Sequence, residues 1–392
     1  MKILMLSWEY PPRIIGGISR VVYHLATELG RLGNEVTVIT VKEGDAQEEE
    51  VDGNVRIYRV TPFIINPLNF IDSILQMNLA MISKAGTLLE TGNCFDILHL
   101  HDWLVAYAGK VIQNIWPGMA MVCTFHGTES GRNFGIHNDM QGYISNVEEM
   151  LSHMSHKIIV NSGYMKSEIN RLFHFPDEHI FVIPNGVDIR KFLGVPCDLE
   201  LRSQYAKPHE KLVIFVGRLV GEKGAHVLLE AIPMILNRFG QVKFIIAGKG
   251  PEYEALQRRA QELNVSERVI LPGFIPDDIL LRLYKCSDTA VIPSLYEPFG
   301  IVALEGMVAR IPVVVSNTGG LNQIVEHKVN GMKFESGNSF HLAECILELL
   351  TDPELAHRVV ENASEAVNHF YRWDDIAART FVVYKQAMGS IE

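Results

Sequence analysis

Short apolar runs rich in β-branched residues alternate along this chain with longer stretches whose apolar positions recur at helical spacing. The first run, at residues 2–6, is followed by a turn with Gly16 and Gly17, an amphipathic stretch and a second run at 35–41. This order predicts a βαβ unit. More apolar runs, which predict buried strands of one doubly wound parallel sheet, lie at residues 96–100, 120–125, 157–160 and 180–183.

A second series of apolar runs begins after a polar, weakly periodic stretch at residues 198–210. Its members lie at residues 211–216, 242–247, 268–271, 289–292 and 312–315. Helical stretches separate these runs too, so we expect a second α/β domain of the same Rossmann-like, doubly wound kind. We place the first domain at residues 1–190 and the second at residues 191–372. The amphipathic stretch at 373–392 either stays on the second domain or packs back on the first.

Composition narrows the possible partners. The chain has 392 residues, more than one hydrophobic core usually organises, which agrees with two domains. Its formal net charge is -11 and it has no run of basic residues, which argues against nucleic acid and anionic membrane surfaces as partners. No apolar run approaches the roughly 18 residues of a membrane span, and no export signal is evident. We therefore expect a cytoplasmic protein without stable membrane association; its oligomeric state stays open.

Cysteine usage is consistent with this location. The chain has five cysteines: Cys94, Cys123, Cys197, Cys286 and Cys345. Their odd number and scattered spacing match neither a zinc site nor a disulfide scaffold, so we expect reduced thiols.

Loops that follow the strands of such a sheet are where ligands bind, because helix N-termini and backbone N–H groups converge there. Gly16 and Gly17 lie between the first predicted strand and its helix, where two glycines let a bound anion come close to the backbone. His126 follows the predicted strand at 120–125 and is a second candidate.

Polar and aromatic residues also cluster at the end of the predicted strand at 96–100. His99 and His101 point to one face of a strand while Asp102 points to the other, so a metal site from these residues is not expected. His101, Asp102 and Trp103 are better interpreted as residues at the edge of a cleft. There an aromatic ring beside polar groups suits a sugar.

The second domain offers a basic pair. Arg218 follows the strand at 211–216, and Lys223 with Gly224 opens the next helix. Two cations beside glycines at a helix N-terminus form a candidate diphosphate cradle, although the Gly-Lys-Ser/Thr of a Walker loop is absent.

Two carboxylates stand out around the helix that follows residues 289–292. Glu305 is surrounded in sequence by Ile, Val, Ala, Leu and Met, and we expect it to be buried and therefore to hydrogen-bond a specific partner such as a ribose diol. Glu297 precedes the helix. The backbone N–H groups of Phe299, Gly300 and Ile301 are predicted to bind phosphate or sugar oxygens.

Together these residues resemble the retaining, GT-B fold glycosyltransferases of family 4, over nearly the whole chain. The matching residues are the Glu-x7-Glu pair Glu297 and Glu305, the basic pair Arg218 and Lys223, the glycine loop Gly16-Gly17 and the histidine His126. The resemblance implies an α/β architecture of two Rossmann-like domains facing a deep cleft. Within the superfamily, residues 101–103 and 124–129 are similar to the glycogen and starch synthase branch.

The resemblance also implies roles. Arg218 and Lys223 would neutralise the diphosphate of a UDP- or ADP-sugar donor, Glu305 would hold the ribose hydroxyls, and Glu297 would hold sugar hydroxyls. His126 would contact the transferred sugar near the reacting carbon, and Asp102 would lie on the side of the carbohydrate acceptor. No metal and no cofactor are implied, and the sequence has no Asp-x-Asp, which bridges metal and diphosphate in the other main glycosyltransferase fold.

One departure concerns the donor and the product. Bacterial glycogen synthases carry a lysine two residues before the glycine pair, where this chain has Ile14 next to Arg13. Elongation of an α-1,4-glucan is the preferred hypothesis. Sucrose, sucrose-phosphate or trehalose synthesis and hexosyl or mannosyl transfer to a lipid or cell-envelope acceptor stay open. Outside this class, a two-domain protein that binds a small ligand without turnover also stays open, whereas a dehydrogenase is disfavoured because neither domain opens with Gly-x-Gly-x-x-Gly.

Overall fold

A computed structural model describes residues 1–63 and 66–390. Within these ranges the strands, numbered in chain order, are β1 (Lys2–Leu6), β2 (Glu35–Val41), β3 (Glu49–Asp52), β4 (Val55–Val60), β5 (Ile97–His101), β6 (Ala120–Phe125), β7 (Lys157–Val160), β8 (Ile180–Val182), β9 (Lys211–Val216), β10 (Val242–Ala247), β11 (Val269–Gly273), β12 (Thr289–Ile292), β13 (Val313–Ser316) and β14 (Met332–Phe334).

The helices of the same ranges are α1 (Ile18–Arg31), α2 (Phe70–Glu90), α3 (Ala106–Ile115), α4 (Glu129–Arg132), α5 (Asp139–Met154), α6 (Gly163–Phe173), α7 (Leu199–Ser203), α8 (Ala225–Arg238), α9 (Tyr253–Glu262), α10 (Asp277–Cys286), α11 (Ile301–Val308), α12 (Leu321–Ile324), α13 (Ser339–Thr351), α14 (Pro353–Phe370) and α15 (Trp373–Met388). None of these described helices is both long and apolar enough to cross a membrane.

The chain divides into two compact units. The first unit runs from Met1 to Gly186 and takes up the C-terminal segment again from Trp373, while the second is Val187–Arg372. The boundary predicted from the sequence lies after residue 190, and that prediction allows residues 373–392 on either domain. In the structure α15 packs against α1 and β6 of the first unit, and the Trp373 ring stacks on that of His24 with centroids 5.4 Å apart.

The sheet of the first unit has the strand order β3-β4-β2-β1-β5-β6-β7-β8. Its neighbouring strands are parallel except for β3 and β4, which form an antiparallel pair at one edge. Central strands such as β1 and β6 are buried almost throughout, because helices cover both faces of a doubly wound sheet. That burial explains why these strands read as continuous apolar runs.

The second unit repeats the plan with the order β11-β10-β9-β12-β13-β14, parallel throughout. Both units are therefore Rossmann-like α/β folds. In each, the carboxyl ends of the central strands lead into the loops that carry the candidate residues.

Candidate active site

The loop after β1 is organised by a carboxylate that the sequence analysis did not single out. The Oε2 atom of Glu9 accepts hydrogen bonds from the backbone N–H groups of Ile15 at 2.9 Å and Gly16 at 2.7 Å. The Glu9 side chain is buried, and this burial raises its pKa, with the nearby Asp102 charge acting in the same direction. Glu9 thus holds the glycine loop in place just before α1.

The fold does not require a glycine at position 16. A Cβ atom added at Gly16 would have Glu9 Oε1 as its nearest neighbour at 3.9 Å, an ordinary contact, and the Gly16 backbone does not adopt a positive φ. Gly17 caps α1 with φ -72° and makes no side-chain cap hydrogen bond. Close approach of a ligand thus stays the predicted reason for glycine here.

His126, His101 and Asp102 are brought together at the ends of β5 and β6. The ring atoms His101 Nδ1 and His126 Nε2 lie 3.1 Å apart, and the backbone N–H of His126 donates to Asp102 Oδ1 at 2.7 Å. Arg132 approaches the other carboxylate oxygen of Asp102 to 3.7 Å. Asp102 has φ 60° and ψ 173°, a region normally restricted to glycine, so the surrounding contacts hold a strained backbone there.

Burial favours the neutral form of both histidines. Burial lowers the pKa of His126, and burial together with the neighbouring His99 and His126 lowers that of His101. The buried Nε2 atom of His101 has no hydrogen-bond partner. An unpaired buried acceptor costs less than an unpaired buried donor, which favours the tautomer in which His101 Nδ1–H donates to His126 Nε2. The remaining proton of His126 is then on Nδ1, and this atom is a hydrogen-bond donor.

A third histidine, His99, packs against this histidine pair, and both of its ring nitrogens have polar partners. The ring of His99 lies against that of His101, with centroids 4.2 Å apart. His99 Nε2 is 2.8 Å from Thr124 Oγ1, and its Nδ1 is 2.7 Å from the hydroxyl of Tyr384 on α15. Tyr384 is 285 residues from His99 in the sequence, and no local signal pointed to it.

The prediction for Trp103 was wrong. Its side chain is only 5% exposed and belongs to the core of the first unit, where it packs edge-on against Phe70. Its ring cannot be an exposed platform for a sugar. Trp8, in the same loop as Glu9, is partly exposed and has the Arg13 guanidinium 5.0 Å above its ring. Trp8 is thus a partly exposed aromatic ring in this loop, packed beside Phe70 and two residues after the end of β1.

In the second unit, Lys223 and Glu297 form an ion pair. Lys223 Nζ lies 2.8 Å from Glu297 Oε2, which also accepts a hydrogen bond from Ser294 Oγ at 3.0 Å. The two residues meet because Gly224 lets the backbone pass close to the end of β12. A Cβ atom at Gly224 would lie 2.0 Å from the carbonyl oxygen of Pro293, and its φ is +68°.

Arg218 is joined to the same region through Glu222. Its Nη2 atom donates to Glu222 Oε1 at 3.2 Å, and the backbone carbonyl of Glu222 accepts from the N–H groups of Leu295 and Tyr296 at 2.8 and 3.2 Å. Glu222 lies directly before Lys223, but the sequence analysis gave it no role. The two cations and two carboxylates of this region sum to a formal charge of zero, so the cradle offers directed donors more than net positive charge.

Glu305 is less buried than its sequence surroundings suggested. It is half-buried on α11, and its Oε2 atom is 3.4 Å from the hydroxyl of Tyr284. The Tyr284 hydroxyl is thus one hydrogen-bond partner of the Glu305 carboxylate, which we had expected a ligand to supply. The role of Glu305 as a ribose ligand stays a prediction.

Residues 299–301 lie at the start of α11, and the binding of phosphate or sugar oxygens by their N–H groups stays a prediction. Gly300 caps α11 at φ 115° without a side-chain hydrogen bond, and Ile301 is its first residue. The side chain of Phe299 is buried in the core, so only its backbone is available to a ligand. Among the residues that the structure describes, no group of three or more His, Cys, Asp or Glu side chains is placed to hold a metal ion.

Comparison with known proteins identifies the family. The model for "Glycosyltransferase Family 4" matches residues 15–191, and that for "Glycosyl transferases group 1" matches residues 198–366. An uncharacterized glycosyltransferase of Methanocaldococcus jannaschii is 38% identical over 99% of this chain and 99% of its own length. The chain belongs to glycosyltransferase family 4. This family 4 glycosyltransferase is also 33% identical to a glycogen synthase of Mycobacterium tuberculosis, over 99% of this chain and 95% of that protein.

The fold of this family 4 glycosyltransferase is shared with solved structures. Sucrose-phosphate synthase from Thermosynechococcus elongatus superposes with a TM-score of 0.84 at 23% identity, covering 100% of both chains. This likeness confirms the predicted GT-B class. The first family match contains the glycine loop and His126, and the second contains Arg218, Lys223 and Glu305, so the candidates of each unit lie within the matched regions.

Proposed function

We propose that this family 4 glycosyltransferase transfers glucose, with retention, from UDP-glucose or ADP-glucose to the end of an α-1,4-glucan. The observation that carries the donor assignment is the Lys223–Glu297 ion pair, 2.8 Å long, directly ahead of the N-terminus of α11. A lysine ammonium group and the N-terminal end of a helix are two groups that bind phosphate oxygens. The glucan acceptor is supported by the 33% identity to a glycogen synthase over nearly the full length of both chains.

The donor diphosphate is held by directed hydrogen bonds. The Arg218 side chain is 48% exposed and uses one donor on Glu222, so other guanidinium N–H groups are available to phosphate oxygens. Lys223 likewise has three ammonium donors, one of which is directed to Glu297. Because the local carboxylates already balance these cations, a phosphate must replace Glu222 or Glu297 as a partner or share the cation with it.

In the proposed reaction, the bond from the anomeric carbon to the diphosphate oxygen lengthens and positive charge develops on that carbon. The leaving phosphate oxygen takes the proton of the acceptor hydroxyl, which attacks from the same face. Arg218, Lys223 and the first N–H groups of α11 stabilise the negative charge on the departing diphosphate, the role that a metal ion has in other enzymes. His126 donates from Nδ1 to a hydroxyl of the transferred sugar and does not act as the base.

The loop before Gly16 differs from that of the bacterial glycogen synthases, and this difference bears on the choice of donor and acceptor. Ile14 is 48% exposed where the bacterial glycogen synthases carry lysine, and Arg13 is paired with Glu43 and lies over the Trp8 ring. Arg13 therefore does not supply the missing lysine charge. This arrangement favours UDP-glucose over ADP-glucose, and it keeps transfer to a small sugar or sugar phosphate, or to a lipid-linked or cell-envelope acceptor, as the alternative.

The test is a panel of UDP-, ADP- and GDP-sugars, each with glycogen, maltooligosaccharides and small sugars, followed by nucleotide release. We expect release with a glucose donor and a glucan, extension of the glucan by α-linked residues, and an unchanged rate in excess EDTA. The Lys223→Ala variant controls for contaminating activity. Release only with small sugars would establish the alternative, and binding of donors without release in any combination would indicate a ligand-binding protein.

A further inference from the structure

Two of the cysteines that we expect to be reduced thiols are neighbours in the second unit. Cys197 precedes α7 and Cys286 is the last residue of α10, 89 positions later. Their Sγ atoms are 2.8 Å apart, whereas a disulfide bond is about 2.05 Å long, so closure needs an approach of only about 0.8 Å. Among the described residues both are free thiols, Cys197 exposed and Cys286 buried.

Hydrogen bonds hold the Cys286 sulfur against the chain at Cys197. The backbone N–H of Asp198 donates to Cys286 Sγ at 2.9 Å, and the Cys286 thiol is 3.2 Å from the carbonyl oxygen of Asp198. The Cys286 sulfur is thus held by the backbone of Asp198, the residue next to Cys197.

Ion pairs hold the two segments from both sides. The Asp198 carboxylate accepts from the N–H of Leu201 at 2.9 Å, which caps α7, and from Arg282 of α10 at 3.0 Å. Arg202 of α7 donates to the carbonyl of Cys286 and to Asp288. These contacts tie the segment that carries Cys197 to the end of α10 that carries Cys286.

We propose that Cys197 and Cys286 form a reversible disulfide when the protein meets a low-molecular-weight disulfide such as oxidised glutathione. The Cys197 thiolate attacks one sulfur of the reagent, forms a mixed disulfide and releases one glutathione thiolate. The Cys286 sulfur, after losing its proton to solvent, attacks Cys197 Sγ and releases the second. Two protein thiols are oxidised by two electrons, and one reagent disulfide is reduced to two thiols.

The order of these steps follows from the surroundings of each sulfur. Cys197 is exposed and reaches the reagent first, while burial raises the pKa of Cys286 to about 12. The second step is therefore the slow one, and it accelerates as the pH rises. The crosslink closes a long loop within the second unit, which restricts the unfolded chain strongly, so we expect the melting temperature to rise by about 5–10 °C.

The test uses the full chain, reduced, desalted and then incubated with oxidised glutathione under native conditions. We expect an intact mass lower by about 2 Da and, in a non-reducing tryptic digest, a crosslink between peptides 192–202 and 286–310. Cys94→Ser, which removes another exposed cysteine, should keep the crosslink and the gain in melting temperature. Cys197→Ser should lose both.

Two results would overturn the proposal, and neither needs a variant. One is a stable glutathione adduct on Cys197 with Cys286 still alkylated by iodoacetamide after unfolding. The other is a 197–286 crosslink that forms only in denaturant.

Discussion

The candidate residues of the two units differ in how they are held. In the first unit, His101 and Asp102 are almost fully buried and are fixed by hydrogen bonds to ring nitrogens or to the backbone. In the second unit, Arg218 and Lys223 are 48% and 24% exposed and are held by one carboxylate each. The residues of the first unit are packed into its core, and Asp102 has a strained backbone. Arg218 and Lys223 of the second unit are more exposed, and each is held by an ion pair.

This difference predicts which substitutions lower activity without lowering stability, and which lower both. Removing an exposed ion pair alters stability little, because solvent already screens the charges. Removing a buried hydrogen-bond partner leaves a desolvated group behind and destabilises the protein. Substitution of Arg218 should therefore lower activity alone, and substitution of the buried His101 or Asp102 should lower both activity and stability.

The largest expected effect is that of Arg218→Ala. We expect kcat/KM for the donor to fall about a hundredfold or more, since an oriented charge on the leaving diphosphate is lost. The free energy of unfolding should change by less than about 1 kcal/mol. Steady-state kinetics and urea denaturation measure the two quantities. Arg259→Ala is a matched control, because Arg259 on α9 is 45% exposed and paired with Glu230, and it should leave kcat/KM unchanged. Wild-type kinetics for Arg218→Ala would refute the phosphate assignment.

The next effect distinguishes two substitutions of Asp102. Both Asp102→Ala and Asp102→Gly remove the acceptor of the His126 N–H, a loss of about 1–3 kcal/mol in the free energy of unfolding. Glycine also relieves the strain at φ 60°, so the Gly variant should be more stable than the Ala variant by about 1–2 kcal/mol. Turnover should fall in both. Equal stabilities in urea would show that the backbone is not strained, and unchanged turnover would make Asp102 purely structural.

Gly16 of the first unit and Gly224 of the second unit allow a further comparison of activity with stability. Gly16→Ala should leave the free energy of unfolding within about 0.5 kcal/mol, because the added methyl group meets only ordinary contacts. It should still lower kcat/KM by roughly tenfold if a ligand approaches the backbone there. Gly224→Ala should destabilise the second unit by about 1–3 kcal/mol, since its Cβ collides with the Pro293 carbonyl. A fully active Gly16→Ala variant would remove the glycine loop from the site.

The last prediction is a slope of stability against pH, small at each pH step. Burial raises the pKa of Glu148 to about 8, with Arg132 and the Glu129 N–H opposing. The folded state then keeps a proton that the unfolded chain loses above about pH 4.5, so this group's contribution to stability is lost as the pH rises from about 4.5 to 8. Glu148→Gln removes that loss.

Urea denaturation of both proteins from pH 5 to 9 measures this slope. The stability of Glu148→Gln relative to wild type should increase by at most about 1.4 kcal/mol per pH unit and level off above pH 8. Parallel curves would mean that Glu148 titrates normally in the folded protein.

Much of the fold could be predicted because buried parallel strands are legible as local apolar runs. The bounds of β1, β2, β6, β7, β9, β10 and β12 agree with the predicted runs. The strands β3, β4 and β14 were missed, of which β3 and β14 are edge strands, whereas the edge strands β8 and β11 fall on predicted runs. All four residues of β3 are exposed and mostly acidic, and its strand character comes from pairing with β4. The short β14 likewise depends on its partner β13.

The candidate site was less predictable because its contacts join distant positions. Lys223 and Glu297 were both named as site residues, but their ion pair spans 74 positions and has no local signature. Trp103 was assigned to a sugar because an aromatic ring beside polar residues has the same sequence pattern at a cleft edge and in a core. The pairing of Cys197 with Cys286 was hidden for the same reason as the ion pair.

The sequence by itself determined two α/β units with parallel sheets, the family and the residue types available for diphosphate binding. It could do so because alternation of apolar runs and glycine-containing turns encodes burial locally. Only the tertiary structure decided which carboxylate meets which cation, which ring nitrogens of His101 and His126 face each other and which thiols are neighbours. These depend on separations of about 3 Å between atoms on different elements, and such distances follow from how the whole chain packs.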